Sequence, residues 1–290
     1  MNKPLLVRVI KNTIVVALLA VLLLAHTAVV RAEDTKKQDE WRFTLVPYIW
    51  LPSVSGSFKF TLPPPGTGPA PVPGVPTATV SSSADVSSND YLSNLTFAGM
   101  LSFEAAKGRW SLLSDILYVD FSDSNRDVTI PGLGAGSGVL VSADTGLQAM
   151  IFEVAGAYSV YMGQHGNFDV LLGMRYAGIE GKIDINAVGP AGAVYYPRIN
   201  KSLNMYDPIV GFKGRLLLTK NWFMPYYFDI GGFSVDSDLT VQAYAAIGYR
   251  FTDWFSMTLG YRYLYYDFGN SKLLEDITLH GGMLGFVFSF

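Results

Sequence analysis

The chain has 290 residues, half of them hydrophobic, with 18 Phe, 17 Tyr, 29 Gly and no cysteine. The missing thiol excludes disulfide staples, thiolate metal sites and a cysteine nucleophile, and a formal net charge of −3 offers no basic footprint for nucleic acid. This composition fits one large all-β domain that draws its stability from another source.

At the N-terminus, Lys3, Arg8 and Lys11 precede an uncharged apolar run from Thr13 to about Val30, and Val30-Arg31-Ala32 offers a small-residue cleavage site before Glu33. This is the layout of a secretory signal peptide over 1–32, with an uncleaved anchor helix as the alternative. Its removal takes away four basic and no acidic residues and leaves 17 Lys and Arg against 24 Asp and Glu, about −7.

Over 33–290, apolar runs with period-two alternation recur, separated in turn by short turns and by longer polar or Gly-rich loops. The first strand is expected at about 41–60, followed by a long loop. Strands at about 94–105 and 110–122 flank Ala106-Lys107-Gly108-Arg109, and strands at about 146–162 and 168–184 flank Gly163-Gln164-His165-Gly166-Asn167. Strands at about 204–218 and 222–234 flank Thr219-Lys220-Asn221, and a tight loop at Val235 to Ser237 follows. Strands at about 238–250 and 255–267 flank Phe251-Thr252-Asp253-Trp254, and the last strand ends at Phe290. The expected fold is a transmembrane antiparallel up-and-down β-barrel of about ten strands, within a range of eight to twelve. Short turns would face the periplasm and long loops the exterior.

The last strand carries Leu284, Phe286, Phe288 and the terminal Phe290 on one face. That pattern looks like the signal read by the barrel-assembly machinery, which with the export machinery would be a partner during biogenesis; a soluble edge strand of this kind would risk aggregation. The first loop, about 63–90, contains Pro63, Pro64, Pro65, Pro69, Pro71, Pro73 and Pro76 and then a Ser-rich stretch. It favours extended polyproline conformations and is expected not to pair as a strand. The Gly-rich run 132–138 lacks the strand-to-helix context and Lys of a phosphate loop.

Assigning the more apolar parity of each strand to lipid turns most mid-strand charges inward. The lumen set is then Arg42, Glu104, Asp115, Glu153, Asp169, Arg175, Lys213, Arg215, Asp229 and Arg262, five acids and five bases. In a barrel this narrow they would cross-brace the wall and occlude it, or line a thin polar path for a small solute. Phe255, Met257, Leu259, Tyr261 and Tyr263 are expected on the lipid face, with Thr240, Gln242 and Tyr244 inside. Trp41, Trp110, Trp222 and Trp254 read as one interfacial girdle, and Tyr261, Tyr263, Tyr265 and Tyr266 as climbing to the other. Outer-membrane lipid and lipopolysaccharide are the expected surroundings.

Beyond 1–32 the only histidines are His165, in an expected turn, and His280, on the last strand with outward parity. A rim cluster of Asp236, Asp238, Asp267, Glu275, Asp276 and His280 could activate water in a hydrolase, bridge lipopolysaccharide phosphates through cations, or simply be solvated. No regularly spaced metal-ligand set and no cofactor motif is present. A barrel that binds a partner through the Pro-rich loop is a further alternative.

Several strings, Trp41-Arg42-Phe43, Pro47-Tyr48-Ile49-Trp50-Leu51-Pro52, Asp207-Pro208-Ile209-Val210-Gly211, Asp229-Ile230-Gly231-Gly232-Phe233, Ser237-Asp238-Leu239-Thr240 and Gly260-Tyr261-Arg262-Tyr263, recur in order in a family of uncharacterised Gram-negative outer-membrane β-barrels, which the chain resembles. The resemblance spreads over most of 33–290, is best after Asp207, and does not extend to the Pro-rich loop. It implies the fold and the outer membrane, and it carries no agreed activity.

Overall fold

A computed structural model describes residues 40–61, 79–86, 95–127, 140–188, 194–195, 198–269 and 274–290. The expected signal peptide, the Pro-rich part of the first loop and the Gly-rich run lie outside the described residues. Twelve strands are formed: β1 Arg42–Thr61, β2 Thr79–Val86, β3 Leu95–Lys107, β4 Trp110–Asp127, β5 Leu140–Gly163, β6 Gly166–Val188, β7 Val194–Tyr195, β8 Arg198–Leu217, β9 Trp222–Gly232, β10 Leu239–Arg250, β11 Phe255–Asp267 and β12 Leu274–Ser289.

Ten of these make the wall, in the order β1-β3-β4-β5-β6-β8-β9-β10-β11-β12, and antiparallel pairing of β12 with β1 closes it. Closure leaves no unpaired edge within the ring, which is what lets a sheet stand in hydrocarbon. β7 adds two residues to β6. β2 pairs with the outer part of β1, from Val54 opposite Val86 to Thr61 opposite Thr79. This corrects the expectation that the whole of 63–90 stays unpaired: the segment after the prolines is rich in Ser and Val, has free N–H groups, and extends the β1 ladder.

Pairs at the base are joined by short turns at 108–109, 164–165, 218–221 and 251–254. Gly108 stands at φ 61° and Gly166 at φ 139°, conformations in which a Cβ would be strained. The strands β4, β5, β6 and β8 run further toward the long loops than period and hydropathy suggested, because pairing continues through polar residues that the alternation did not mark.

Alternation decides which face each side chain takes. On β11, Ser256, Thr258, Arg262, Leu264 and Tyr266 are buried, while Leu259, Tyr261 and Tyr263 are exposed. On β10, Thr240 and Gln242 are buried inside the wall, whereas Ile247 is exposed. The outer face is thus apolar, with Leu172, Met174, Val210 and Ile116 open to the surroundings. On β4 the outward positions run from Trp110 to Asp120, whose carboxylate accepts from Gln148 on β5. A rise of about 3.3 Å per residue at a tilt of about 40° places Asp120 about 25 Å above Trp110, the height of a bilayer's apolar band.

Trp41, Trp110, Trp222 and Trp254 are all exposed and all stand at the short-turn end. Each has an aromatic neighbour, among them Tyr158 at 4.8 Å from Trp110, Tyr249 at 5.0 Å from Trp222 and Phe288 at 6.1 Å from Trp254. Tyr261 and Tyr263 face outward, but Tyr266 is 2% exposed and belongs to the interior. The run Tyr263 to Tyr266 therefore splits between two faces, as an even spacing from Arg262 requires.

On β12, Leu284, Phe286 and Phe288 alternate with the buried Met283, Gly285 and Val287 and so look outward. Phe290 is exposed, and its backbone exchanges hydrogen bonds with Phe43, N–H to O distances of 2.7 and 3.0 Å, at the seam.

Candidate functional site

The inward residues form layers along the axis. Toward the long loops, Tyr48, Trp50, Leu117, Ile151, Ala177, Met205, Leu264, Tyr266, Phe268 and Met283 make one apolar cluster. On the opposite side of the charged level, Ala155, Ala157, Leu171 and Ile209 make a smaller one. Between them lies a belt of charge, present because β5, β6, β9, β10 and β11 each put one polar residue inward at the same height.

Arg175 on β6 is the centre of this belt. Its Nη2 donates to Glu153 on β5 at 2.8 Å and to Asp229 on β9, and its Nη1 donates to Thr240 on β10 at 3.4 Å. The side chains of Arg175 and Asp229 have no exposed surface. Glu153 also accepts from the hydroxyl of Tyr227 and, at 3.2 Å, from Gln242. The same Gln242 amide reaches Asp229 at 3.2 Å, and its oxygen accepts from Arg262 Nη2 at 2.6 Å.

Arg262 on β11 then continues the chain to the far wall. It donates to the Tyr48 hydroxyl of β1 at 2.8 Å and to Asp115 of β4 at 3.0 Å, and it lies over the Trp50 ring at 5.0 Å. Asp115 accepts in addition from Tyr48 at 3.0 Å and from Ser102 of β3. Through these contacts β1, β3, β4, β5, β6, β9, β10 and β11 are tied at one level. Multidentate guanidinium pairing of this kind repays the desolvation that an isolated buried charge could not.

Nearer the short turns, Lys213 of β8 reaches Glu104 of β3 at 2.5 Å and Asp169 of β6 at 3.5 Å. Asp169 is also held by Ser159 at 2.6 Å and Asn167 at 2.9 Å. Eight of the ten expected lumen charges are therefore joined by hydrogen bonds and ion pairs in two tiers. The other two keep the expected inward parity but join neither tier. Arg215 faces the lumen with its guanidinium 4.6 Å from the Phe223 ring, and Arg42 is exposed at the mouth; among the described residues neither has a carboxylate within ion-pair distance.

Sequence reasoning missed Tyr48, Ser102, Tyr227 and Asp207 as network members. Asp207 is fully buried and accepts from the backbone N–H of Ser237 at 2.9 Å and from its hydroxyl at 2.7 Å, tying β8 to the turn between β9 and β10. Its inward parity with Ile209 and Lys213 was the available signal, hidden because Asp-Pro reads as a turn pair. No group of three or more His, Cys, Asp or Glu suited to a metal occurs among the described residues. His280 faces outward, its Nδ1 2.6 Å from the Tyr261 hydroxyl and its ring stacked on that tyrosine. It pairs in register with Ser53 and Tyr263, while Asp267 and Asp276 pair with each other farther toward the loops.

A closed ten-stranded antiparallel wall, apolar outside and polar within, is a transmembrane β-barrel of the outer-membrane type. A solved structure agrees in fold: the outer membrane protease OmpT from Escherichia coli superposes with a TM-score of 0.51 at 10% identity, over 87% of this chain and 97% of that one. The translocator domain of the autotransporter NalP from Neisseria meningitidis gives 0.41 at 12% identity over 88% and 92%, and the toluene transporter TodX of P. putida 0.30 at 12% over 87% and 89%. No protein-family model and no curated protein matches the sequence.

Proposed function

We propose that this protein resides in the outer membrane of a Gram-negative bacterium as a barrel whose lumen is closed by its own charged belt, with the short turns and both ends of the wall on the periplasmic side. Passage, where it occurs, is restricted to a small solute or ion that can exchange with members of that belt. The observation that carries this reading is the Arg175 and Arg262 relay, which joins eight wall strands through side chains no more than 16% exposed at the ion pairs. Apolar clusters lie on either side of it.

The likeness to OmpT supports the fold alone, and the placement of His280 does not favour a rim hydrolase, since its Nδ1 is engaged by Tyr261 on the outer wall. The test is single-channel recording in a planar bilayer of the refolded chain beside the Arg262→Ala/Asp115→Ala pair variant. Removing both partners leaves neutral Tyr48, Gln242 and Ser102 in place of a bridge. The parent is expected to be silent or to show small rare steps, and the variant to show larger discrete steps. A correctly folded variant as silent as the parent, or a parent with steady large conductance, would sink the plug.

A further inference from the structure

Below the plug, the charge balance changes sign. The inward-facing charges of the middle tier are Arg175 and Arg262 against Asp115, Glu153, Asp207 and Asp229. At the short-turn end they are Arg42, Lys213, Arg215 and Arg250 against Glu104 and Asp169. Lys213 already takes both of these carboxylates. The three arginines are left without a carboxylate partner among the described residues. The acids Glu40 and Asp253 are exposed residues, one just before β1 and the other in the turn at 251–254.

The three arginines enter the lumen at the same short-turn end. β1 and β8 are five strands apart in either direction around the ten-stranded wall, so Arg42 and Arg215 start from opposite sides of the lumen. Their separation is small enough to bridge, because Lys213 crosses the same level from β8 to Glu104 on β3 at 2.5 Å. Arg250 comes in at the end of β10, two strands from β8, at inward parity after Ala246 and Gly248. The carboxylate of Glu104, which Lys213 holds, acts on Arg215 first, and the positive charges of Arg250 and Arg42 act on it as well.

Arg215 is also held in position rather than free to turn away. Its guanidinium lies 4.6 Å from the Phe223 ring, which is 2% exposed. That ring rests on Gly248, where an added Cβ would stand 2.4 Å from it. The sequence of contacts β10 glycine, β9 phenylalanine, β8 arginine holds a cation at an end of the lumen where four bases outnumber Glu104 and Asp169, an excess whose natural complement is an anion with several acceptor oxygens.

We infer that the short-turn mouth of the lumen is an anion site, formed by Arg42, Arg215 and Arg250, for a small oxyanion such as phosphate or sulfate, whether free or borne on a lipid headgroup. It does not depend on conduction through the plug, since the mouth lies to one side of it. Guanidinium groups bind such oxygens through paired N–H donors, and mutual repulsion among the three is relieved when the anion is present.

The test is isothermal titration of inorganic phosphate and of sulfate into the refolded chain in a non-ionic detergent at low salt. Saturable binding near one anion per barrel is expected, weakened at least tenfold in Arg215→Gln and in Arg250→Gln, and unchanged in Lys220→Gln, which alters a base in the turn at 218–221. Arg42→Gln, at an exposed position, provides a variant with no burial change, and unaltered heat-modifiable mobility on gels verifies that each variant is folded. Absence of saturable binding to the parent, or binding that survives all three arginine replacements, overturns the site. Repeating the titration with phosphatidylglycerol in the micelle separates the sources: competition assigns the site to a headgroup, and its absence to the free anion.

Discussion

At the scale of single residues, the buried guanidinium of Arg175 is the group whose loss matters most. Arg175→Met would leave Glu153 and Asp229 facing each other inside the wall without their shared cation. Breaking a buried pair from one side costs about 3–5 kcal/mol. A drop of that size is expected in urea unfolding followed by gel mobility in micelles. The triple variant Arg175→Met/Glu153→Gln/Asp229→Asn should recover most of it, because no charge is then stranded; equal loss in both would show that packing and not charge is at stake. Arg175 and Arg262 were legible in the sequence because each interrupts an apolar strand at inward parity. Their partners Tyr48 and Tyr227 were not, since a tyrosine at a barrel strand reads equally as an interfacial ring, and only the position of its hydroxyl beside Arg262 or Glu153 separates the two uses.

At the scale of elements, the turn after β9 is held from outside itself. Phe233 and Ser234 both adopt positive φ, 52° and 61°, directly after Gly232 at 87°. Such conformations are costly for residues with a Cβ and persist when the surroundings fix them. The two hydrogen bonds from Ser237 to Asp207 supply that restraint. Asp207→Ala is expected to destabilise by about 1–3 kcal/mol, the cost of unpaired buried donors, and to raise proteolytic cutting near 233–238 while the rest of the wall stays resistant. Uncut protein of parental stability would remove this role from Asp207.

Close approach between neighbouring strands sets a second limit at this scale. A Cβ at Gly211 on β8 would meet the Phe228 carbonyl oxygen of β9 at 2.1 Å. Gly211→Val should therefore block closure, seen as loss of the heat-modifiable band, whereas valine at Gly156, where nothing lies within 4 Å, should be tolerated. The approximate strand number and the short turns were readable from period-two alternation and from its breaks at short polar or Gly-containing stretches. The added strand β2 was not, because a Ser-rich stretch beside prolines carries no hydrophobic alternation and its pairing depends on the exposed ladder of β1.

For the whole molecule, the two faces of the wall predict how its tryptophans meet lipid. Trp41, Trp110, Trp222 and Trp254 are exposed at one boundary, while Trp50 is 1% exposed inside the lumen. In liposomes containing brominated lipid, quenching should reach the four outer rings and spare the fifth, so Trp50→Phe is expected to raise the quenched fraction of the remaining emission. An unchanged or smaller fraction would mean that the inside and outside of β1 had been exchanged.

The sequence by itself determined the class of fold. Apolar residues two apart must share a face, charges cannot face hydrocarbon, and these two constraints together narrowed the wall to about ten strands, gave their approximate limits and indicated which charges turn inward. Only the tertiary structure decided which of those charges meet. A register of strands distant in the chain brings Arg262 to Tyr48, 214 residues away, and Lys213 to Glu104, 109 residues away. It also places Arg42, Arg215 and Arg250 at one end of the lumen with no carboxylate within ion-pair distance among the described residues. Parity is a local property of each strand, whereas partnership across the lumen depends on the height and angular position that closure of the ring imposes, and no spacing along the chain encodes those directly.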